Sequence, residues 1–115
     1  MDKVTFGNFN DEARSSPWVV GYNVGELRNN EVSIKWGRHL KGEKKKLLTA
    51  NSKSKTIGIL LSGKIKVIFP ETGMNRILEK EGDYVYLPPD TKHGREVLED
   101  SFMISIRWPG IDDQY

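Results

Sequence analysis

The sequence predicts an all-β chain folded as a small sandwich or barrel. Short runs of β-branched and aromatic residues recur along it, each ended by Gly, Pro, Asn or Asp. No long stretch repeats its apolar residues at the helical period. Ten short runs follow one another closely with no crossover helix between them, the pattern of an antiparallel β domain. At 115 residues there is room for one domain, with a core of modest size.

The runs place strands at 4–6, 18–22, 31–39, 45–49, 56–61, 64–69, 75–79, 83–87, 94–98 and 102–108. Residues 7–17 read as a loop or arm, and 27–30 (Leu-Arg-Asn-Asn) separates the second and third strands. Ser62-Gly63 is expected to close a tight hairpin, because Gly takes the positive φ that such a turn needs. Glu71–Asn75 is expected to close another, and Glu99-Asp100-Ser101 a third. Alternation sets the faces. Ile65, Val67 and Phe69 share one face, with Lys64 and Lys66 on the other. Val32, Ile34 and Trp36 oppose Ser33, Lys35 and His39.

Composition narrows the function classes. Hydrophobic residues are 37% and charged residues 30% of the chain, too polar for a membrane span and too apolar for disorder. There is no cysteine, hence no disulfide, thiolate metal site or cysteine nucleophile. The N-terminus has no apolar run of signal-peptide length, which predicts a cytoplasmic protein. Net charge is only +2, yet residues 35–66 hold ten basic groups and one acid, Glu43. That is either an anion-binding face or a set of solvated lysines that keep sheet edges apart. The basic run Lys41–Lys46 has one aromatic nearby, Trp36, and no recognition helix, so no nucleic-acid partner is expected. Phosphate loops, nucleophile elbows and His-Glu-x-x-His are absent.

The most specific segment is Gly82-Asp-Tyr-Val-Tyr-Leu-Pro-Pro-Asp-Thr-Lys-His93. Gly82-Asp83 turns the chain into a strand, Pro88–Thr91 stops and reverses it, and His93 opens the next strand. This segment resembles the second motif of the cupin superfamily. Ile57-Gly-Ile-Leu-Leu-Ser-Gly-Lys-Ile-Lys-Val67 resembles the end of the first. Lys35-Trp-Gly-Arg-His-Leu-Lys-Gly-Glu43 and Ser105-Ile-Arg-Trp-Pro109 are similar to segments of short, single-domain bacterial cupins. The resemblance implies a single-domain jelly-roll β-barrel over residues 1–115, with the barrel at 32–108. It also implies a homodimer, for which residues 1–22 would supply an arm.

The resemblance further implies a test for metal. Metal-dependent cupins hold iron, manganese, nickel or zinc with two His and a Glu from the first motif and the His of the second. Counted forward from Gly42, the two His positions fall on Leu48 and Ala50. Counted back from Gly63, the Glu position falls on Thr56 and the His pair on residues between Thr49 and Ser52. Of the four positions only His93 is retained, so no cofactor is expected. A divalent transition metal at an atypical site of His39 and His93, completed by Glu43, Asp90 or Glu96, is the alternative, although no local spacing supports it.

Ligand binding needs no metal, because a barrel mouth is a concave cup with a few inward polar groups. Candidate catalytic residues are His39, His93 and Tyr84, a His serving as base and a Tyr as acid. Candidate ligand-binding residues are Trp36, Arg38, Tyr86 and Arg95. Arg107 and Trp108 are weighed beside them. Arg107 points outward if Ile106 and Trp108 are core, and Trp36 and Trp108 also read as core or interface aromatics. The basic neighbours Lys35 and Arg38 favour an anionic ligand beside His39 and would keep that imidazole neutral. The expected function is binding of a small anionic molecule, with metal-independent acid–base chemistry in the barrel. A metal-dependent dioxygenase or isomerase and a non-catalytic structural or regulatory module are the alternatives. One slip of strand register would exchange inward and outward residues.

Overall fold

A strand that alternates Ile65, Val67 and Phe69 with lysines can bury only one face, and that face builds the core. The structure, a computed structural model, describes residues 3–44 and 48–115. A single turn of helix, α1 (Phe9–Glu12), is followed by β1 (Trp18–Val20), β2 (Ser33–His39), β3 (Lys55–Phe69), β4 (Met74–Leu78), β5 (Tyr84–Leu87) and β6 (Gly94–Trp108). The strands form one antiparallel sheet in the order β1-β2-β6-β3-β4, with β5 also on β3.

The sheet is organised by its two long strands. β3 and β6 run side by side from Lys55 opposite Trp108 to Ile68 opposite Gly94. β5 pairs with the first half of β3 and β4 with the second. β2 covers only the second half of β6, from Ser33 opposite Arg107 to His39 opposite Ser101. Each half of the β3–β6 ribbon therefore carries its own neighbours, and the ribbon joins the two walls of a barrel.

Two expected hairpins are corrected here. Ser62-Gly63 and Glu99–Ser101 close no hairpins. They face each other as irregularities inside β3 and β6, where the register shifts between Leu60 and Ile65. The same Gly chemistry serves a tight turn and a bulge, so the local sequence does not separate them. Gly63 sits at φ +96°, and a Cβ there would lie 2.6 Å from Ser101 Cα. The Ser101 hydroxyl accepts from Lys64 N at 2.9 Å and donates to Glu99 O at 2.6 Å, which ties the bulge together. The hairpin expected at 71–75 is present, between Phe69 and Met74. Residues 4–6 form no strand, and of the strand expected at 45–49 residues 45–47 lie outside the described residues, while Thr49 bridges His93.

Leu60, Ile65, Val67, Leu78, Val97 and Met103 form the core, with Phe69 and Val85 against it. The chain end is also fastened to the barrel. Asp113 accepts from Asn51 Nδ2 at 2.6 Å, from the Ser54 hydroxyl at 3.0 Å and from the N–H groups of Lys53 and Ser54, both at 2.7 Å. Those donors outweigh its burial and hold its carboxyl down at about 2. A carboxyl depressed on folding adds stability above its unfolded pKa and loses it as pH falls through the folded one. Urea denaturation followed against pH is therefore expected to show native stability falling between about pH 4 and pH 2, with Asp113→Asn flattening that limb. An unchanged acid limb in the variant would show that the carboxylate adds nothing.

Candidate functional site

Along β2, Ser33, Lys35 and His39 face inward. Lys35 lies opposite Ser105 of β6, which lies opposite Gly58 of β3, which lies opposite Val85 of β5. The next row reads Ser33, Arg107, Thr56, Leu87. The small Ser105, Gly58 and Thr56 in these rows leave space where a core would otherwise be filled. Above Ile65, Val67 and Met103 that space is a cavity of about 150 Å³. Its polar wall carries Lys35, His93, Arg95 and Arg107 together with Asn51 and Gln114. Among the described residues its wall includes no carboxylate.

The two arginines are held in unusual settings. Arg107 lies over the Trp18 ring, its Cζ 4.7 Å from the centroid, and Lys35 Nζ approaches the same ring at 6.0 Å. The Arg107 Nε is buried and has no hydrogen-bond partner, as is the hydroxyl of Ser33, its cross-strand neighbour. A buried N–H left unpaired costs roughly 1–3 kcal/mol, more on a charged group. Burial pushes both Arg95 and Arg107 below the usual guanidinium range, with Glu43 and Asp113 opposing that shift. An arginine stays charged even so.

His39 ends β2 on the same inward face, its side chain only 10% exposed. With Glu43 ionised, His39 Nδ1 donates to Glu43 Oε2 at 3.2 Å, and Glu43 Oε1 accepts from Leu40 N at 3.0 Å. The tautomer follows from that partner and leaves Nε2 as the acceptor nitrogen. Burial, then Arg95 and Lys35, lower the His39 pKa against the opposing pull of Glu43. The imidazole is therefore neutral near pH 7. His93 lines the cavity, and its Nδ1 donates to Thr91 O at 3.1 Å.

Other expected site residues lie elsewhere. Tyr84 and Tyr86 are 63% and 45% exposed on the outer face of β5, while Val85 and Leu87 of the same strand line the cavity. Both alternating sets of Tyr-Val-Tyr-Leu are apolar, so the pattern does not fix which one turns inward. Trp36 packs outside the barrel against Phe102 at 4.7 Å and Phe9 at 5.5 Å, and donates from Nε1 to Asn10 Oδ1. Arg38 lies over the outer Phe102 ring at 4.3 Å. Trp108 is 37% exposed beside Tyr86. Arg107 points inward because Ile106 and Trp108, its strand neighbours, are not core. Sequence reasoning missed Trp18 and Gln114, neither of which stands in a chemical motif, and met Thr56 only as the residue at the counted Glu position.

The donor set does not fit the metal of metal-dependent cupins. The positions counted for its ligands include Ala50, which is buried, and Thr56, which lines the cavity. Three cationic side chains share that wall with His93 and would repel a divalent ion. Glu43 is engaged by His39 and Leu40, Asp90 accepts from the Tyr115 hydroxyl at 2.7 Å, and Glu96 lies 3.8 Å from Lys44. Among the described residues no group of three His, Cys, Asp or Glu could hold a metal ion.

Solved structures with the same arrangement of strands define the class. KdgF from Halomonas sp. is 25% identical, with 73% of this chain and 74% of that chain aligned at a TM-score of 0.64. A protein with a double-stranded β-helix domain from Klebsiella pneumoniae is 18% identical over 76% of this chain and 70% of that one, at 0.66. A cupin-2 domain containing protein from Shewanella frigidimarina is 17% identical over 89% and 92%, at 0.60. No family model matches the chain, and a search of curated proteins finds no match. The molecule is a jelly-roll barrel of the double-stranded β-helix type. The chain is a cupin by fold.

The electrostatics around His39 can be read directly. In an NMR titration its pKa is expected below the ordinary 6.5. Arg95→Gln, which removes a neighbouring cation, should raise it, and Glu43→Gln should lower it further. A shift in the opposite direction in either variant would contradict the assigned surroundings.

Proposed function

We propose that this cupin binds a small anionic molecule in its barrel cavity, without the metal site usual in metal-dependent cupins. The observation that carries this reading is the cavity wall itself, which among the described residues holds Arg95 and Arg107 and no carboxylate, with an unpaired buried N–H on Arg107. A carboxylate or phosphate oxygen would satisfy that donor and offset the cost of burying the cations. An open cavity also argues against a purely structural module, which would fill the barrel with bulky side chains.

Acid–base chemistry on the bound anion is the finer part of the proposal. His39, oriented by Glu43, keeps an acceptor nitrogen on a neutral ring, and His93, oriented by Thr91 O, lines the cavity. His39 can take a proton from a ligand group brought within hydrogen-bond reach. Tyr84, exposed on the outer face, is too far outside the cup to serve as the acid.

Pairing of two copies is the second finer part. Ile34, Trp36, Ile104, Ile106, Ile57, Ile59, Tyr84 and Tyr86 occupy matched outward positions across four adjacent strands, with no charge among them. An apolar face of this kind, covered at Trp36 by Phe9 and Asn10, meets its own copy about a two-fold axis without desolvating a charge.

A thermal-shift panel of small carboxylates, phosphates and their neutral amides tests the binding claim, with light scattering on the same samples reporting a dimer mass. At a hundredfold excess over Kd a ligand adds about 2.7 kcal/mol of stability. At least one anion should raise the melting temperature by several degrees, its amide should not, and Arg107→Gln should lose the shift. Equal shifts with anions and amides would refute the anionic reading, and a monomer mass would refute the pairing.

A further inference from the structure

Arg95 and Arg107 belong to one strand, twelve residues apart, yet both line one cavity of about 150 Å³. A straight strand would hold them roughly 40 Å apart. The bulge at Gly63 and Ser101 lies between them, and the two halves of β6 it separates carry different neighbours. The arginines therefore reach the cavity from different walls. Arg107 arrives with the Trp18 ring beneath it. Arg95 arrives with His93, two residues earlier and just ahead of β6.

Neither arginine makes an ion pair within 4.0 Å among the described residues. Glu43 and Asp113 are in electrostatic range of Arg95 and Arg107 respectively. Glu43 spends its oxygens on His39 and Leu40, and Asp113 spends its own on Asn51, Lys53 and Ser54. Tyr22 is the other group in range of Arg107. The cavity thus presents two separated guanidinium groups whose forks remain open to a ligand. An apolar floor of Ile65, Val67 and Met103 lies with them.

We propose that the ligand is a small diacid, with one carboxylate on Arg107 beside Trp18, the other on Arg95 beside His93, and a short carbon chain between them over the apolar floor. This rests on the anion-binding reading of the same cavity. A space of this volume admits about six to eight non-hydrogen atoms, since one of like size takes up benzene. That count corresponds to a dicarboxylate of three or four carbons, and a five-carbon one lies just beyond it. A single-headed dianion such as a phosphate would engage one wall and leave the guanidinium of the other unmatched.

Calorimetric titration of the full chain with malonate, succinate, glutarate, butyrate and methyl phosphate tests the proposal. The best of the three diacids is expected to bind at least about tenfold more tightly than butyrate, the worth of one charge-assisted contact. Arg95→Gln and Arg107→Gln should each bring that preference below about twofold, with near-ultraviolet circular dichroism confirming that both variants are folded. If butyrate binds as tightly as the diacids, the cavity is an anion site but the two-headed ligand is wrong. If methyl phosphate binds and no diacid does, the ligand is a single-headed dianion and the proposal fails. If none of the five binds, the diacid proposal fails, and the thermal-shift panel decides separately whether the anion reading falls with it.

Discussion

The constraint on which the rest depends is the paired irregularity at Gly63 and Ser101. β3 and β6 share most of their length, and a uniform ribbon of that length would make a broad open sheet with no interior. At the bulge the register shifts and a Cβ is excluded, so the ribbon turns from one wall of the barrel into the other. Everything inside the cup follows from that turn. It brings the first half of β6, with Arg95, to the cavity that the second half reaches with Arg107. The Ser101 hydroxyl fixes the turn by bonding to both strands.

The interior inverts the usual distribution of polarity. Along β2 and the second half of β6, Ser33, Lys35, His39, Ser105 and Arg107 face in, while Ile34, Trp36, Ile104 and Ile106 face out. Drawing cations out of water costs stability, and the apolar core is correspondingly confined to the cavity floor and the β3–β4 wall. A chain under selection for stability alone would fill this space with Leu and Val. The arrangement makes sense as a site that is completed by a ligand of opposite charge.

Much of this was legible in the sequence. The Gly82–His93 segment and the alternation at 64–69 point to the all-β barrel, and the positions of most strands follow from the turn residues between them. The opposition of His39 and Lys35 to Trp36 was also legible, but which set turns inward was not. A barrel that puts its polar residues inside reads, strand by strand, like an ordinary strand turned over. For the same reason Tyr84 and Tyr86 looked like cup residues and Arg107 like a surface one. Hairpins at 62–63 and 99–101 were expected because Gly and short polar residues serve turns and bulges alike. Only the long-range pairing of β3 with β6 separates the two. Trp18 and Gln114 reach the cavity through β1 pairing and the C-terminal bridge to Asn51, which no local pattern records.

The central claim we propose is that a cationic cup takes the place of the metal site of metal-dependent cupins in this barrel. Elemental analysis and native mass spectrometry of protein purified without an affinity tag or added metal address it most directly. The account predicts no stoichiometric transition metal and, where a ligand is retained, an added mass that is acidic and small. One metal per chain, surviving dialysis and lost in both His39→Ala and His93→Ala, would contradict it.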